Sequence, residues 1–430
     1  MSHRLSRLVA TTAAALVLAA CGSDQKPASP APGSSDSTAP VTLTFWGTYG
    51  NGGNRTQTDV LQKSLIPAFE AANPGVSVDY VDVPYDSFLQ KLETSASGGQ
   101  LPDLIRADLG WVPRFADDGA LEPLDTAMPN FQKFADKTYP GSLATNKWED
   151  HYYGLPLDTN TRVLISNPEA LAKAGLSKPP KTIEELVAAG PKLAEQNVSV
   201  FADSGLQTWN VLPWIWSGGG SLTDEKLTTA TGYLDSPETV AAVQMLVDLY
   251  QQQAIPNLIT GNKGGTPTSD GLPKGSYATI LDGPWMAGVW SGQYPDFEPT
   301  YSPMPEGKGG SISVVGGENI VLTAESPNKD AALKFIEFTQ GEQFQLEMAA
   351  TGQMPSVVGL GDAAAKKYPE LAPFAEQLKT ARSRPAVPDG SKIDTILNDA
   401  LTQAFTGKAS VKDALTEAAK QIDPLLSPSS

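Results

Sequence analysis

The chain has 430 residues, 40% of them hydrophobic, which is long enough for more than one core and too apolar for a disordered protein. Its 48 acidic and 31 basic residues give a net charge of −17, which excludes electrostatic binding of nucleic acid. One cysteine (Cys21) and two histidines (His3 and His151) exclude a disulfide framework and a zinc-type site, so neither metal nor cofactor is expected.

Arg4 and Arg7 precede an apolar run from Leu8 to Ala20, a charged segment and then a hydrophobic one too short to span a bilayer. The run closes on Leu18-Ala19-Ala20-Cys21-Gly22, which resembles the bacterial lipobox. Residues 1–20 are therefore expected to be a signal peptide and Cys21 the acylated N-terminus. The alternative is an ordinary secretory cleavage site beside a stray cysteine. Residues 21–40 are rich in Pro, Ser, Ala and Gly and read as a flexible tether with a reach on the order of 25 Å. No later segment is apolar for long enough to cross a membrane, so the lipid anchor is the only membrane contact expected.

Val41–Trp46 alternates like a strand, and Asp59–Ala72 carries Leu61, Leu65, Ile66 and Phe69 at helical spacing until Asn73-Pro74-Gly75 stops it. Val76–Val83 reads as a second strand, Tyr85–Ser97 as a helix with Phe88, Leu89 and Leu92 as its stripe, and Asp103–Ile105 as a short buried strand. This alternation predicts an α/β fold with a largely parallel sheet flanked by helices. Further strands are expected near Tyr153–Leu157, Arg162–Ser166, Tyr277–Leu281 and Asn319–Thr323. Helices are expected near Pro168–Ala174, Ile183–Glu195 and Pro237–Gln252. Ser326-Pro327 reads as the opening of another helix, and the chain from Pro369 onward as mostly helical. Length and alternation together give two lobes, with a cleft between them as the place for a small ligand.

Five blocks, in order, carry a family likeness. They are Ile66-Pro67-Ala68-Phe69-Glu70-Ala71-Ala72-Asn73-Pro74-Gly75-Val76; Leu101-Pro102-Asp103-Leu104-Ile105 running on to Gly119-Ala120-Leu121-Glu122-Pro123-Leu124; Tyr153-Gly154-Leu155-Pro156 with Pro179-Pro180-Lys181-Thr182; Asp282-Gly283-Pro284-Trp285; and Gly316-Gly317-Glu318-Asn319 with Lys334-Phe335-Ile336. From Val41 to about Leu425 the chain resembles the extracellular solute-binding proteins of bacterial ABC sugar importers, of the maltose/maltodextrin-binding type. The resemblance implies a two-lobe, periplasmic-binding-protein-like fold that closes over sugar by a hinge, with chain crossings near Asp158, Tyr301 and Met354-Pro355. Residues 41–158 with 303–355 then form lobe 1, and residues 159–302 with 356–430 form lobe 2. It further implies a monomeric, non-enzymatic lipoprotein on the outer face of the cytoplasmic membrane, which delivers an oligosaccharide to the transporter's permease subunits.

A sugar offers hydroxyls at its rim and apolar C–H faces, so its site needs flat aromatic rings and planar polar groups. Trp46 ends the first strand, where a parallel sheet presents ligand contacts, and Arg106, Asp108 and Trp111 follow another strand end. Asp158 and Asn160 lie at the first expected crossing, Trp209 and Asn210 begin a helical stretch, and Trp285 stands at a strand-to-helix turn. Glu318 and Asn319 follow Gly316-Gly317, which lets backbone approach a ligand. The resemblance singles out Asp108, Trp111, Asn160, Trp209, Asn319 and above all Trp285, whose Gly-Pro-Trp block holds a sugar-stacking Trp in many relatives. Each has a plainer reading: a lone Trp is more often core than platform, and Asp108 or Asp158 can cap a turn. Trp214 and Trp216, within an apolar run, are the most core-like.

The chain departs from the maltose binders at Lys392-Ile393-Asp394, where they often carry an aromatic residue; Arg384, nearby, is placed to bond hydroxyls instead. The loop Gly47–Gly53 either touches ligand or is a plain turn. A glycoside hydrolase would use two of Asp108, Asp158 and Glu318 at a set separation. The same fold with another ligand would hold a phosphorylated polyol or a peptide; a phosphate asks for clustered Arg or Lys or a helix N-terminus, and Arg106, Arg382 and Arg384 are few and scattered. A passive surface lipoprotein leaves the Trp-rich segments unexplained.

Overall fold

The structure, a computed structural model, describes residues 40–50, 55–261 and 266–426. The leader, Cys21 and the tether up to residue 39 lie outside these residues, as do Asn51, Gly52 and Gly53 of the glycine-rich loop. Among the described residues, nine strands build two sheets: β1 (Val41–Gly47), β2 (Val76–Asp82), β3 (Leu104–Asp108), β4 (Gly154–Thr161), β5 (Val163–Ser166), β6 (Ser199–Ala202), β7 (Tyr277–Asp282), β8 (Thr300–Ser302) and β9 (Val315–Leu322). The first sheet runs β2-β1-β3-β9-β4 and the second β8-β5-β7-β6.

β1 shows how alternation becomes packing. Leu43 and Phe45 are fully buried on one face, while Trp46 packs on the other against the cluster of Phe88, Leu92 and Ile105. Phe45 meets the ring of Phe335 at 5.5 Å, and Phe69 meets the same ring at 5.0 Å. Phe335, from the helix Lys329–Thr339, thus anchors both the strand and the helical run that follows it. That run is continuous from Arg55 to Ala72 and widens to a π-helix over Leu61–Leu65.

β1 pairs in parallel with β2 and β3, and β6 with β7, as the β-α-β alternation predicts. β9 pairs antiparallel with β3 and β4, and β5 antiparallel with β7 and β8. The chain changes sheets at two connections. β4, in the first sheet, runs into β5, in the second, through the single residue Arg162, and β8 leads back to β9 through residues 303–314, so β5 and β9 do not enter their sheets by a βαβ crossover. These connections also touch one another. The Ser313 hydroxyl donates to the Arg162 carbonyl at 2.7 Å, Val315 N–H to Arg382 O at 2.8 Å, and Thr159 N–H to Met354 O at 2.9 Å.

Two details differ from the sequence expectation. Ser326 does not open a helix. Its hydroxyl donates to Asp103 Oδ1 at 2.6 Å, and the helix begins at Lys329. Asp103 lies just before β3, where its other oxygen accepts from the Thr44 N–H (2.8 Å) and hydroxyl (2.9 Å), so a residue expected inside the strand staples β1 to the Ser326 turn. The larger apolar core lies with the second sheet, where Leu164, Phe201 and Trp214 meet Leu401, Leu415 and Ile422 of the C-terminal helices Gly390–Phe405 and Val411–Leu426.

Candidate functional site

β9 lies between β3 and β4, so Glu318 is the register partner of both Asp108 and Asp158, and three carboxylates share one rung. Arg106, two residues before Asp108 and so on the same face of β3, is 3% exposed. Its Nη2 lies 2.8 Å from Glu318 Oε2 and 3.3 Å from Asp158 Oδ2, and its Nη1 donates to Thr48 Oγ1 at 2.6 Å. The Tyr49 ring lies 4.3 Å from the guanidinium. Burial pushes the Glu318 carboxyl well above the usual carboxylate range; Arg106 opposes that rise and Asp158 adds to it. Asp108 is held differently. It accepts from Tyr85 Oη (3.0 Å), Gly110 N (2.8 Å) and Arg384 Nη2 (3.2 Å), and Tyr85 stacks on Trp111 with ring centres 5.6 Å apart.

The opposite side is built by elements of the second sheet. Trp209 enters the helix Thr208–Ser217, whose first N–H, that of Thr208, donates to Asp394 Oδ1 at 2.9 Å. The Trp209 and Trp285 rings lie 6.4 Å apart at 26°, and the Arg384 guanidinium lies 5.6 Å from the Trp209 ring. The outer edge of the Trp285 ring lies against Gly283, where a Cβ would come within 2.1 Å of it, so only glycine leaves the indole room. Arg162 fixes this side from below. It donates to Trp209 O (3.1 Å), Asp203 Oδ2 (2.8 Å) and Leu281 O. Burial pushes the neighbouring Asp282 carboxyl up to about 6, against the pull of Arg162. Tyr85, Asp108 and Trp111 from the first side and Thr208, Arg384, Ile393 and Asp394 from the second enclose a cavity of about 90 Å³.

The structure thus brings together Arg106, Asp108, Trp111, Asp158, Asn160, Trp209, Trp285, Glu318 and Arg384. Three other residues expected at the site lie elsewhere. Asn319 is 1% exposed on the far face of β9 from Glu318, where it bonds Asn146 (2.8 Å) and Thr145 (3.2 Å). Asn210 is buried and donates to Asp203 at 2.6 Å, so it supports the acid that holds Arg162. Trp46 packs beside Phe88 and Leu92, with Lys91 Nζ 3.9 Å from its ring centre. Gly316 does permit a close approach, but of the protein's own groups: a Cβ there would lie 2.2 Å from Asn160 Oδ1 and 2.7 Å from the Trp209 ring. Trp214 and Trp216 are core, at 1% and 5% exposure.

Sequence reasoning missed Tyr85 and Arg162, and for Thr48 and Tyr49, in the loop after β1, it left ligand contact and a plain turn both open. Tyr85 opens a helix at a strand end, which was the available signal. Arg162 reads as an ordinary strand residue until the two sheets are known. Among the described residues, no helix is long and apolar enough to cross a membrane, and no group of three or more His, Cys, Asp or Glu is placed to hold a metal ion.

The family model described as bacterial extracellular solute-binding protein matches residues 52–346. The chain is 24% identical over 426 residues to the galactooligosaccharide-binding protein of Bacillus subtilis (strain 168), covering 98% of this chain and 96% of that one. It is 27% identical over 341 residues to the maltotriose-binding protein of Pyrococcus abyssi, covering 76% and 70%. Among solved structures, the GacH receptor of Streptomyces glaucescens, determined unliganded and with acarbose and an acarbose homolog, matches with a TM-score of 0.78 at 25% identity. That match covers 90% of this chain and 99% of that one.

Proposed function

The chain belongs to the bacterial extracellular solute-binding protein family, and on that premise we propose that it captures an oligosaccharide outside the cytoplasmic membrane and delivers it to the permease of an ABC importer. The observation that carries this reading is the Trp209–Trp285 pair facing a rung of planar polar groups, Arg106, Asp108, Asp158 and Glu318. Flat rings match the C–H faces of a sugar, and carboxylates and guanidinium match its hydroxyls. The names of the galactooligosaccharide- and maltotriose-binding relatives support the same ligand class.

Residues 41–161 with 315–355 are one lobe, and residues 162–314 with the chain from 356 onward are the other. Strand membership moves the expected boundaries at 158 and 303, because Thr159, Asn160 and Thr161 belong to β4 of the first sheet and Met304, Ile312 and Val314 pack in the core of the second. A cavity of about 90 Å³ is well below the roughly 300 Å³ at which ligand pockets begin, so an oligosaccharide enters by separation of the two sides about the crossing segments. The protein acts as a monomer and is anchored through Cys21. A Cys21→Ala variant then leaves the membrane fraction once its leader is removed; retention there removes the anchor from the reading.

Hydrolysis is disfavoured by the geometry. Asp158 and Glu318 are turned onto one nitrogen of Arg106 instead of flanking an open space for a glycosidic bond. A thermal-shift screen of residues 41–430 against a glycan panel tests the proposal: a ligand at a hundredfold excess over its Kd raises stability by about 3 kcal/mol. A flat panel overturns the sugar reading, and release of reducing ends from any glycan replaces it with the hydrolase.

A further inference from the structure

At the floor of the site the charges are out of balance. Asp158 is 5% exposed, and its Oδ1 has no hydrogen-bond partner. Its Oδ2 shares Arg106 Nη2 with Glu318 Oε2, and the Glu318 approach, at 2.8 Å, lies off the N–H direction, a charge contact and not a directed hydrogen bond. The other groups facing the pair are Thr48 and Tyr49 from the loop after β1, and Arg106 and Asp108 from β3. Tyr80 and Asp82 of β2 stand behind Arg106 and bond one another at 2.9 Å. Asp108 spends its oxygens on Tyr85, Gly110 and Arg384, so Arg384 does not neutralise the pair. Two carboxylates therefore face one cation in a place shielded from water, where both cannot be charged without a large solvation loss.

We propose that Asp158 and Glu318 hold a single proton between them at neutral pH, so that with Arg106 the floor of the cleft is electrically neutral. The proton lets one carboxyl donate to the other where Asp158 Oδ1 has no other partner, and Glu318, the more exposed of the two at 16%, carries it. The upward push on the Glu318 carboxyl has the sign this arrangement requires. A neutral floor suits an uncharged polyhydroxy ligand, a consequence that rests on the function proposed above; the proton itself does not rest on it.

The test therefore uses the mature chain without any glycan. Its infrared spectrum at neutral pH contains a protonated-carboxyl band that fades as pH is raised. The band is lost in Glu318→Gln and also in Asp158→Asn, because either change leaves one carboxylate beside Arg106. A group that binds its proton more tightly when folded adds stability in acid, and that stability is lost as pH rises through its folded value. The parent's melting temperature therefore falls, relative to either variant, as pH rises above neutrality. A parent spectrum without the band at neutral pH, a band retained in both variants, or melting profiles that run parallel overturns the proposal. Should one variant fail to fold, the other variant and the titration of the parent band decide it.

Discussion

Arg106 and Arg162 are alike in most respects. Each is 3% exposed, faces two carboxylates, lies against an aromatic ring and leaves its Nε without a partner. They differ in what receives their hydrogen bonds. Arg162 donates to the backbone carbonyls of Trp209 and Leu281 as well as to Asp203, and so ties the helix bearing Trp209 to the strand that leads to Trp285. Arg106 donates to side chains only, Thr48 and Asp158, with Glu318 in charge contact. A guanidinium bound to backbone fixes where segments lie. One bound to side chains leaves groups that can exchange partners, which is what a recognition surface needs.

The largest effect expected from this contrast is on stability. Arg162→Met strands the buried Asp203 and frees two carbonyls, and it is expected to cost about 3–5 kcal/mol in denaturant unfolding. Arg106→Met is expected to cost clearly less, because it frees no backbone carbonyl and Glu318, one of the groups it leaves, is 16% exposed. Equal losses in the two variants break the comparison. A second contrast sets a tryptophan of the core against one of the cleft. Trp214→Ala removes a ring that is 1% exposed and is expected to cost roughly 3–5 kcal/mol of stability. Trp285→Ala, on the cleft side, is expected to melt near the parent and to lose binding of the glycan found in the panel by about tenfold to a hundredfold. Early unfolding of Trp285→Ala, or undiminished binding, makes that ring structural.

The smallest expected effect is a titration. The Asp282 carboxyl stands at about 6 against an ordinary 3.8, so its contribution to stability is present in acid and is lost as pH rises through about 6. Asp282→Asn is expected to remove, from the pH profile of unfolding, a decline on the order of 2–3 kcal/mol between the ordinary carboxylate range and neutrality. A profile with the same slope in parent and variant places the titration elsewhere.

Much of this architecture could be read from periodicity. Leu43 and Phe45 alternate with the less buried Thr42, Thr44 and Trp46, the Tyr85–Ser97 stripe is helical, and the Gly-Pro-Trp turn stands between a strand and a helix. Most of the residue types that meet at the candidate site were legible too, Trp209 and Trp285 beside Asp108, Glu318 and Arg106. What could not be read was facing. Glu318 and Asn319 are neighbours in sequence, and only the register of β9 against β3 and β4, with its irregularity between these two residues, sends one to the cleft and the other to Asn146. The mixed strand directions were equally hidden, since they follow from where the chain changes sheets and not from any local pattern. Asp103 and Ser326, more than two hundred residues apart, form a bond that no local reading anticipates.

The position of β9 has a consequence for assembly in time. It is inserted between β3 and β4, yet its residues are synthesised long after theirs. Until Val315–Leu322 arrives, β4 has no neighbour in the first sheet and β3 lacks a partner on one edge. Such long-range pairing folds slowly, because the intervening loop must be closed before any contact rewards it. The first sheet consequently cannot be completed until most of the chain has been made. For a member of a family that works outside the cell, this delay is useful: translocation can run ahead of folding, and the sheet closes only where the protein will serve.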